Sequence, residues 1–97
     1  MDSFQALNEP TRREIIEMLI GGGLMSASDI YKKFDVTPPA ISQHLKVLRE
    51  ANLVTVEKQA QKHIYKINPK AKDWIKKVMM LWNQKFDSLE EVLQDGR

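Results

Sequence analysis

Along the first fifty positions the apolar residues recur at helical spacing, broken at regular intervals by polar and turn-forming residues. Asp2 to Leu7 predicts a short helical turn, with Phe4 and Leu7 as an i,i+3 apolar pair. Asn8-Glu9-Pro10 interrupts it, because proline is tolerated in the first turn of a helix but not inside one. From Pro10 a second helix carries Ile15, Ile16, Met18 and Leu19 and stops at Gly21-Gly22-Gly23. Ser26-x-x-Asp29 has the form of a capping box, opening a third helix with Ile30, Tyr31 and Phe34. Asp35-Val36-Thr37 is a short break. Thr37 is a natural N-cap, and Pro38-Pro39 fill a first turn whose missing amides cost nothing. Ile41, Leu45 and Leu48 then follow at i, i+4 and i+7, and Asn52 suits a left-handed terminator.

Beyond Asn52 the period shortens to two. Leu53 to Glu57 and Ile64 to Asn68 read as two strands, with Val54 and Val56 lining one face of the first and Tyr65 and Ile67 one face of the second. The tip from Lys58 to Lys62 contains no glycine, so the pattern does not select its turn type, and Pro69 closes the hairpin. Residues 70–95 predict one long amphipathic helix bearing Trp74, Val78, Leu81, Trp82, Phe86, Leu89 and Leu93. Such a helix spans roughly 40 Å, longer than a small domain is wide. Part of its aromatic stripe is therefore expected to pack against a second copy of the chain.

The composition narrows the function classes. Of 97 residues, 42% are hydrophobic and 29% charged, and there is no cysteine. Disulfides, thiolate metal sites and cysteine nucleophiles are excluded. No apolar run is long enough to cross a membrane, and the first residues lack a signal-peptide core, so a single cytoplasmic domain without membrane insertion is expected. The net charge of +2 is unevenly distributed. Residues 1–30 hold two basic and five acidic side chains, whereas residues 31–66 hold seven basic and three acidic ones together with both histidines. That middle segment points to a localised anionic partner.

The predicted fold class is mainly α with a small β-hairpin: a winged helix-turn-helix of order α-α-α-α-β-β-α. With Ile41 inward at 100° per residue, Leu45 and Leu48 lie within about 40° of it. Pro39, Gln43 and Lys46 fall on the far side, Ser42 at one edge and His44 on the other flank. An amide, a hydroxyl and a cation on that face match the groups that read a major groove. The lysine, glutamine and histidine side chains around the hairpin tip suit phosphate or minor-groove contact.

The same residues carry a family resemblance. Asn8-Glu9-Pro10-Thr11-Arg12-Arg13-Glu14-Ile15-Ile16 resembles the opening motif of the ArsR/SmtB winged-helix repressors. Ile41-Ser42-Gln43-His44-Leu45-Lys46-Val47-Leu48-Arg49-Glu50-Ala51 resembles their recognition helix, and Ile64-Tyr65-Lys66-Ile67-Asn68 is similar to their wing strand. Trp82-x-x-x-Phe86-x-x-Leu89-Glu90 resembles the end of the metal-free, SdpR-like branch. The resemblance implies a homodimeric repressor of transcription. It implies DNA contacts from Ser42, Gln43 and His44 and a wing from Lys58 to His63 that includes Gln61 and Lys62, and the outer face of the same helix adds Thr37, Pro39 and Lys46. It also implies a dimer interface from Phe4, Leu7, Trp74, Val78, Leu81, Trp82, Phe86 and Leu89. The family's paired-cysteine motif is absent, with Ala27 to Ile30 in its place, and neither histidine lies on the last helix. No metal and no cofactor is expected. Asn52 and Ala60 stand where many relatives have glycine.

Several plainer assignments accompany these. Ser42 and His44 are two apart on a helix and do not face each other, so they form no nucleophile–base pair, and no enzyme is expected. Arg12 and Arg13 share a helix with Glu9, Glu14 and Glu17, which favours intrahelical pairing or solvation over DNA contact. The expected partners are double-stranded DNA, a second copy of the chain, and an unidentified small-molecule or protein effector; the expected place of action is the nucleoid. The competing functions are a winged helix used only for protein–protein contact and a nucleoid-type binder with little base preference.

Overall fold

Local capping accounts for most of the helix boundaries. In the computed structural model the backbone is described for residues 1–95 and the side chains as far as Asn83. Helix α1 (Ser3–Leu7) starts where the Asp2 carboxylate accepts from the Gln5 amide at 2.8 Å. Helix α2 (Pro10–Gly22) is capped by Glu9, which accepts from the Arg12 amide at 2.8 Å, and it ends at Gly23, whose φ of 77° only glycine adopts without strain. A two-residue strand, β1 (Met25–Ser26), leads directly into α3 (Ala27–Lys32). Ser26 and Asp29 close the expected capping box there. Helix α4 (Pro38–Glu50) starts from Thr37, whose hydroxyl accepts from the Ala40 amide, with Pro38 and Pro39 in its first turn. Asn52 ends it at φ 61°. The amides of Asn52 and Leu53 donate back to the carbonyls of Arg49 and Leu48, satisfying acceptors that the helix leaves over.

Strands β2 (Val54–Gln59) and β3 (Lys62–Ile67) pair antiparallel from Val54↔Ile67 to Gln59↔Lys62. The ladder runs further than the hydrophobic alternation suggested, because backbone pairing continues through residues whose side chains are solvated. Only Ala60 and Gln61 remain as the turn. Ala60 carries a φ of 57° and Gln61 does not share it, the distribution of a type II′ turn. Lys58, Lys62 and His63 therefore sit in paired strands, with Lys58 opposite His63, and Gln61 shares the turn with Ala60. Strand β1 was not foreseen. It pairs with β3 (Met25↔Tyr65, Ser26↔Ile64), giving a three-stranded sheet of order β1-β3-β2.

The core collects Ile15, Ile16 and Leu19 of α2, Ile30 of α3, Ile41, Leu45 and Leu48 of α4, and Leu53, Val54 and Ile67 of the sheet. Each such side chain contributes about 1.5–3 kcal/mol on leaving water. Helix α5 (Lys72–Asp95) joins this core through Ile75, which is 0% exposed. The expected assignment of Leu7 to a dimer interface is corrected: at 0% exposure it is consumed by the protomer's own core, while its i−3 neighbour Phe4 is 52% exposed. Helix α1 is further tied to the end of α4 by the Ser3 hydroxyl, which donates to the Ala51 carbonyl at 3.2 Å.

Candidate nucleic-acid interface

Helix α4 presents the face that its periodicity dictates. Ile41, Leu45 and Leu48 are buried, and Pro39, Ser42, Gln43 and Lys46 are exposed on the other side with Thr37 at the helix start. Gln43 has a free choice of donor and acceptor at its amide, the property needed to bridge two positions on one base edge. Lys46 lies 4.0 Å from Glu50 one turn on, with both side chains exposed. An exposed i,i+4 pair contributes only about 0.3–0.5 kcal/mol, so a phosphate can take the lysine from it at little cost.

The two flanks of the helix are not free. Ser42 shares a 2.8 Å hydrogen bond with the Tyr31 hydroxyl of α3, a partner the sequence did not indicate. On the opposite flank, half-buried His44 turns its Nδ1 toward α2, 3.2 Å from Arg12 Nη1 and 3.7 Å from Glu9 Oε2. Arg12 is neither solvated nor paired along its own helix, as its acidic neighbours suggested. It is buried, and its Nε donates to the Ala6 carbonyl at 2.6 Å. Burial pushes the Glu9 carboxyl up. The Arg12 and Thr11 amides and the nearby His44 and Arg12 side chains outweigh it and leave the group below its ordinary value.

The hairpin projects Lys58, Gln61, Lys62 and His63, all exposed, beside this helix. Asp29 is held below its ordinary value, first by the Ser26 hydroxyl and amide and then by the Lys32 and Lys62 charges, which brings one wing lysine into electrostatic reach of the start of α3. Tyr65, at the centre of the sheet, is shifted up by burial. Among the described residues, no three histidine, aspartate or glutamate side chains gather as metal ligands. Among the same residues, no helix is long and apolar enough to cross a membrane.

A second surface is apolar. Phe4 of α1 and Trp74, Met80 and Leu81 of α5 are exposed. Trp82 is half-buried between Phe4, with ring centroids 5.9 Å apart, and the Arg13 guanidinium, 4.1 Å from the ring centre. Val78 is likewise half-buried against the core. The side chains of Phe86 and Leu89 lie outside the described residues.

Residues 9–56, from the cap of α2 through the first half of the hairpin, match the model of the bacterial regulatory protein, arsR family. The chain is 38% identical over 65 residues to the transcriptional repressor SdpR of Bacillus subtilis, covering 67% of this chain and 71% of that protein. It is 37% identical over 71 residues to an arsenical resistance operon repressor of Staphylococcus xylosus, covering 73% and 67%. Among solved structures, HlyU from Vibrio cholerae superposes with a TM-score of 0.71 at 28% identity, covering 81% of this chain and 86% of that one.

Proposed function

The chain belongs to the arsR family of bacterial regulatory proteins, and on that premise we propose that it binds an inverted-repeat operator as a homodimer and represses transcription there. The observation that carries this reading is the exposed polar face of α4, with Pro39, Ser42, Gln43 and Lys46 set above a buried Ile41–Leu45–Leu48 stripe and flanked by a basic hairpin. Gln43 and Ser42 read base edges in the major groove. Thr37 and Lys46 contact bases or phosphate, and Lys58, Gln61, Lys62 and His63 hold the backbone. Phe4, Trp74 and Leu81 supply an apolar surface for a twofold partner, and two copies set their α4 helices about 34 Å apart along one side of the duplex.

A chain without cysteine holds no thiolate metal centre, and the forms of control that fit it are a small-molecule effector, a sequestering membrane or protein partner, and autorepression. The protein acts in the cytoplasm on the nucleoid and has no catalytic role.

Selection of bound duplexes from a random pool tests this directly. The expected product is an inverted repeat with half-site centres roughly 10–11 base pairs apart. Gln43→Ala is expected to weaken the selected site by about 1–3 kcal/mol and to relax one base position. A pool that acquires no motif, although it binds, refutes operator recognition and supports a nucleoid-type binder. A pool that is not retained at all leaves a protein-contact module.

A further inference from the structure

We propose that Arg12 is a positioning residue for DNA binding: from within the core it sets the rotation of α4 about its own axis, through His44, without touching DNA. The inference rests on reading α4 as the helix that enters the groove.

The apolar contacts of Ile41, Leu45 and Leu48 choose which face of α4 turns inward, but hydrophobic attraction is not directional, and the last few degrees of rotation fall to hydrogen bonds. Ser3 holds the Ala51 carbonyl at the C-terminal end of α4, and two further directional contacts lie on its flanks. One is the exposed Tyr31–Ser42 hydroxyl pair, which competes with water. The other is made by Arg12. Its Nε reaches the Ala6 carbonyl at 2.6 Å, its Nη2 reaches the Gln5 carbonyl at 3.5 Å, which also accepts from the Asn8 amide, and its Nη1 reaches His44 Nδ1 at 3.2 Å. Nη2 also lies 3.8 Å from the Met1 sulfur. A guanidinium only donates, so His44 Nδ1 accepts, and the neutral ring carries its proton on Nε2.

One rigid, planar group therefore ties α1 and α2 to the flank of α4. The geometry makes small rotations consequential. A turn of about 15° moves a side-chain atom some 6 Å from the helix axis by roughly 1.6 Å. The useful hydrogen-bond range is only about 0.5 Å wide. Losing the tie costs base reading at Gln43 before it costs phosphate contact, because phosphate contacts tolerate displacement and base edges do not.

The test compares the duplex selected by the wild-type protein with a random duplex of equal length. Arg12→Lys retains the charge but has a single donor head in place of the fork. It is expected to bind the selected duplex about tenfold or more weakly, with random-duplex affinity and salt slope unchanged. His44→Phe is expected to lose a similar factor, and the double variant to be no worse than about twofold beyond either alone. His44→Gln, whose amide oxygen still accepts, is expected to stay about threefold or more closer to wild type than His44→Phe.

Losses that multiply in the double variant overturn the proposal, as does Arg12→Lys binding the selected duplex like wild type or weakening on both duplexes alike. Should Arg12→Lys fail to fold by near-ultraviolet circular dichroism, the two His44 variants carry the test, and equal losses in them overturn it. Nitrogen-15 NMR gives an independent reading: a neutral His44 ring protonated at Nδ1 is incompatible with the tie. If the wild-type protein selects no duplex, the operator reading fails, and the positioning role goes with it. A selected duplex with indifferent Arg12 and His44 variants removes the positioning role alone.

Discussion

Two side chains of α5, six residues apart, allow folding and the proposed self-association to be tested separately by truncating each in turn. Ile75 is 0% exposed and Leu81 is 64% exposed. Ile75→Ala removes three carbons, about 0.8 kcal/mol each, or roughly 2.4 kcal/mol of transfer energy. Incomplete collapse of the site adds about 1 kcal/mol, giving about 3–4 kcal/mol in all. A chain of this length is stable by roughly 5–15 kcal/mol, so that one change removes about a fifth of the total or more. Leu81→Ala is expected to change the stability of the isolated protomer by no more than about 0.5 kcal/mol. Its effect appears in sedimentation equilibrium as weakened self-association, and in urea unfolding only as a loss of concentration dependence. Urea titrations at several protein concentrations, with an unchanged slope as the control for two-state behaviour, resolve both effects. The reasoning fails if Ile75→Ala costs under about 1.5 kcal/mol, or if the protomer loses as much from Leu81→Ala.

Three further outcomes follow from particular residues. Lys62→Ala in the wing is expected to weaken selected and random duplexes alike and to lower the salt slope of binding by about one; loss confined to the selected duplex contradicts a phosphate role. Ala60→Gly relieves about 1–2 kcal/mol of left-handed strain and returns about 0.5–1 kcal/mol through the greater freedom of the unfolded chain. A net gain of about 0.5 kcal/mol in urea is expected, and a destabilised variant contradicts the turn geometry. Glu9 is depressed below its ordinary value of 4.5 in the folded chain, so its contribution is complete above that pH and disappears as the pH falls through the lowered folded-state value. Glu9→Gln is therefore expected to be less stable than wild type near neutrality and to converge with it in acid, whereas a constant difference across the titration contradicts the assignment.

The parts of this molecule that were legible in advance are those governed by neighbours in sequence. Thr37-Pro38-Pro39 announces a helix start, and the Ile41, Leu45 and Leu48 repeat orients α4, because both depend on residues within a few turns. Strand β1 was invisible because two residues carry no period. It exists through its pairing with Tyr65 and Ile64, about forty positions away. Leu7 was misassigned because an i,i+3 pair does not say which member points inward. Ile75 was overlooked beside the more conspicuous Trp74, although adjacent helical positions differ by about 100°. The roles of Arg12 and Tyr31 were hidden for a related reason. Their partners on α4, His44 and Ser42, come close only after the helices pack.

Ser26 has two engagements at once: it pairs with Ile64 in the sheet and caps α3 with its hydroxyl. The hairpin is thereby clasped to the front of the helix-turn-helix at a point one residue long. The gap between the hairpin and α4 is consequently preset by backbone bonding, like the opening of a locked pair of calipers. A partner that engages both α4 and the hairpin therefore does not first have to order one against the other.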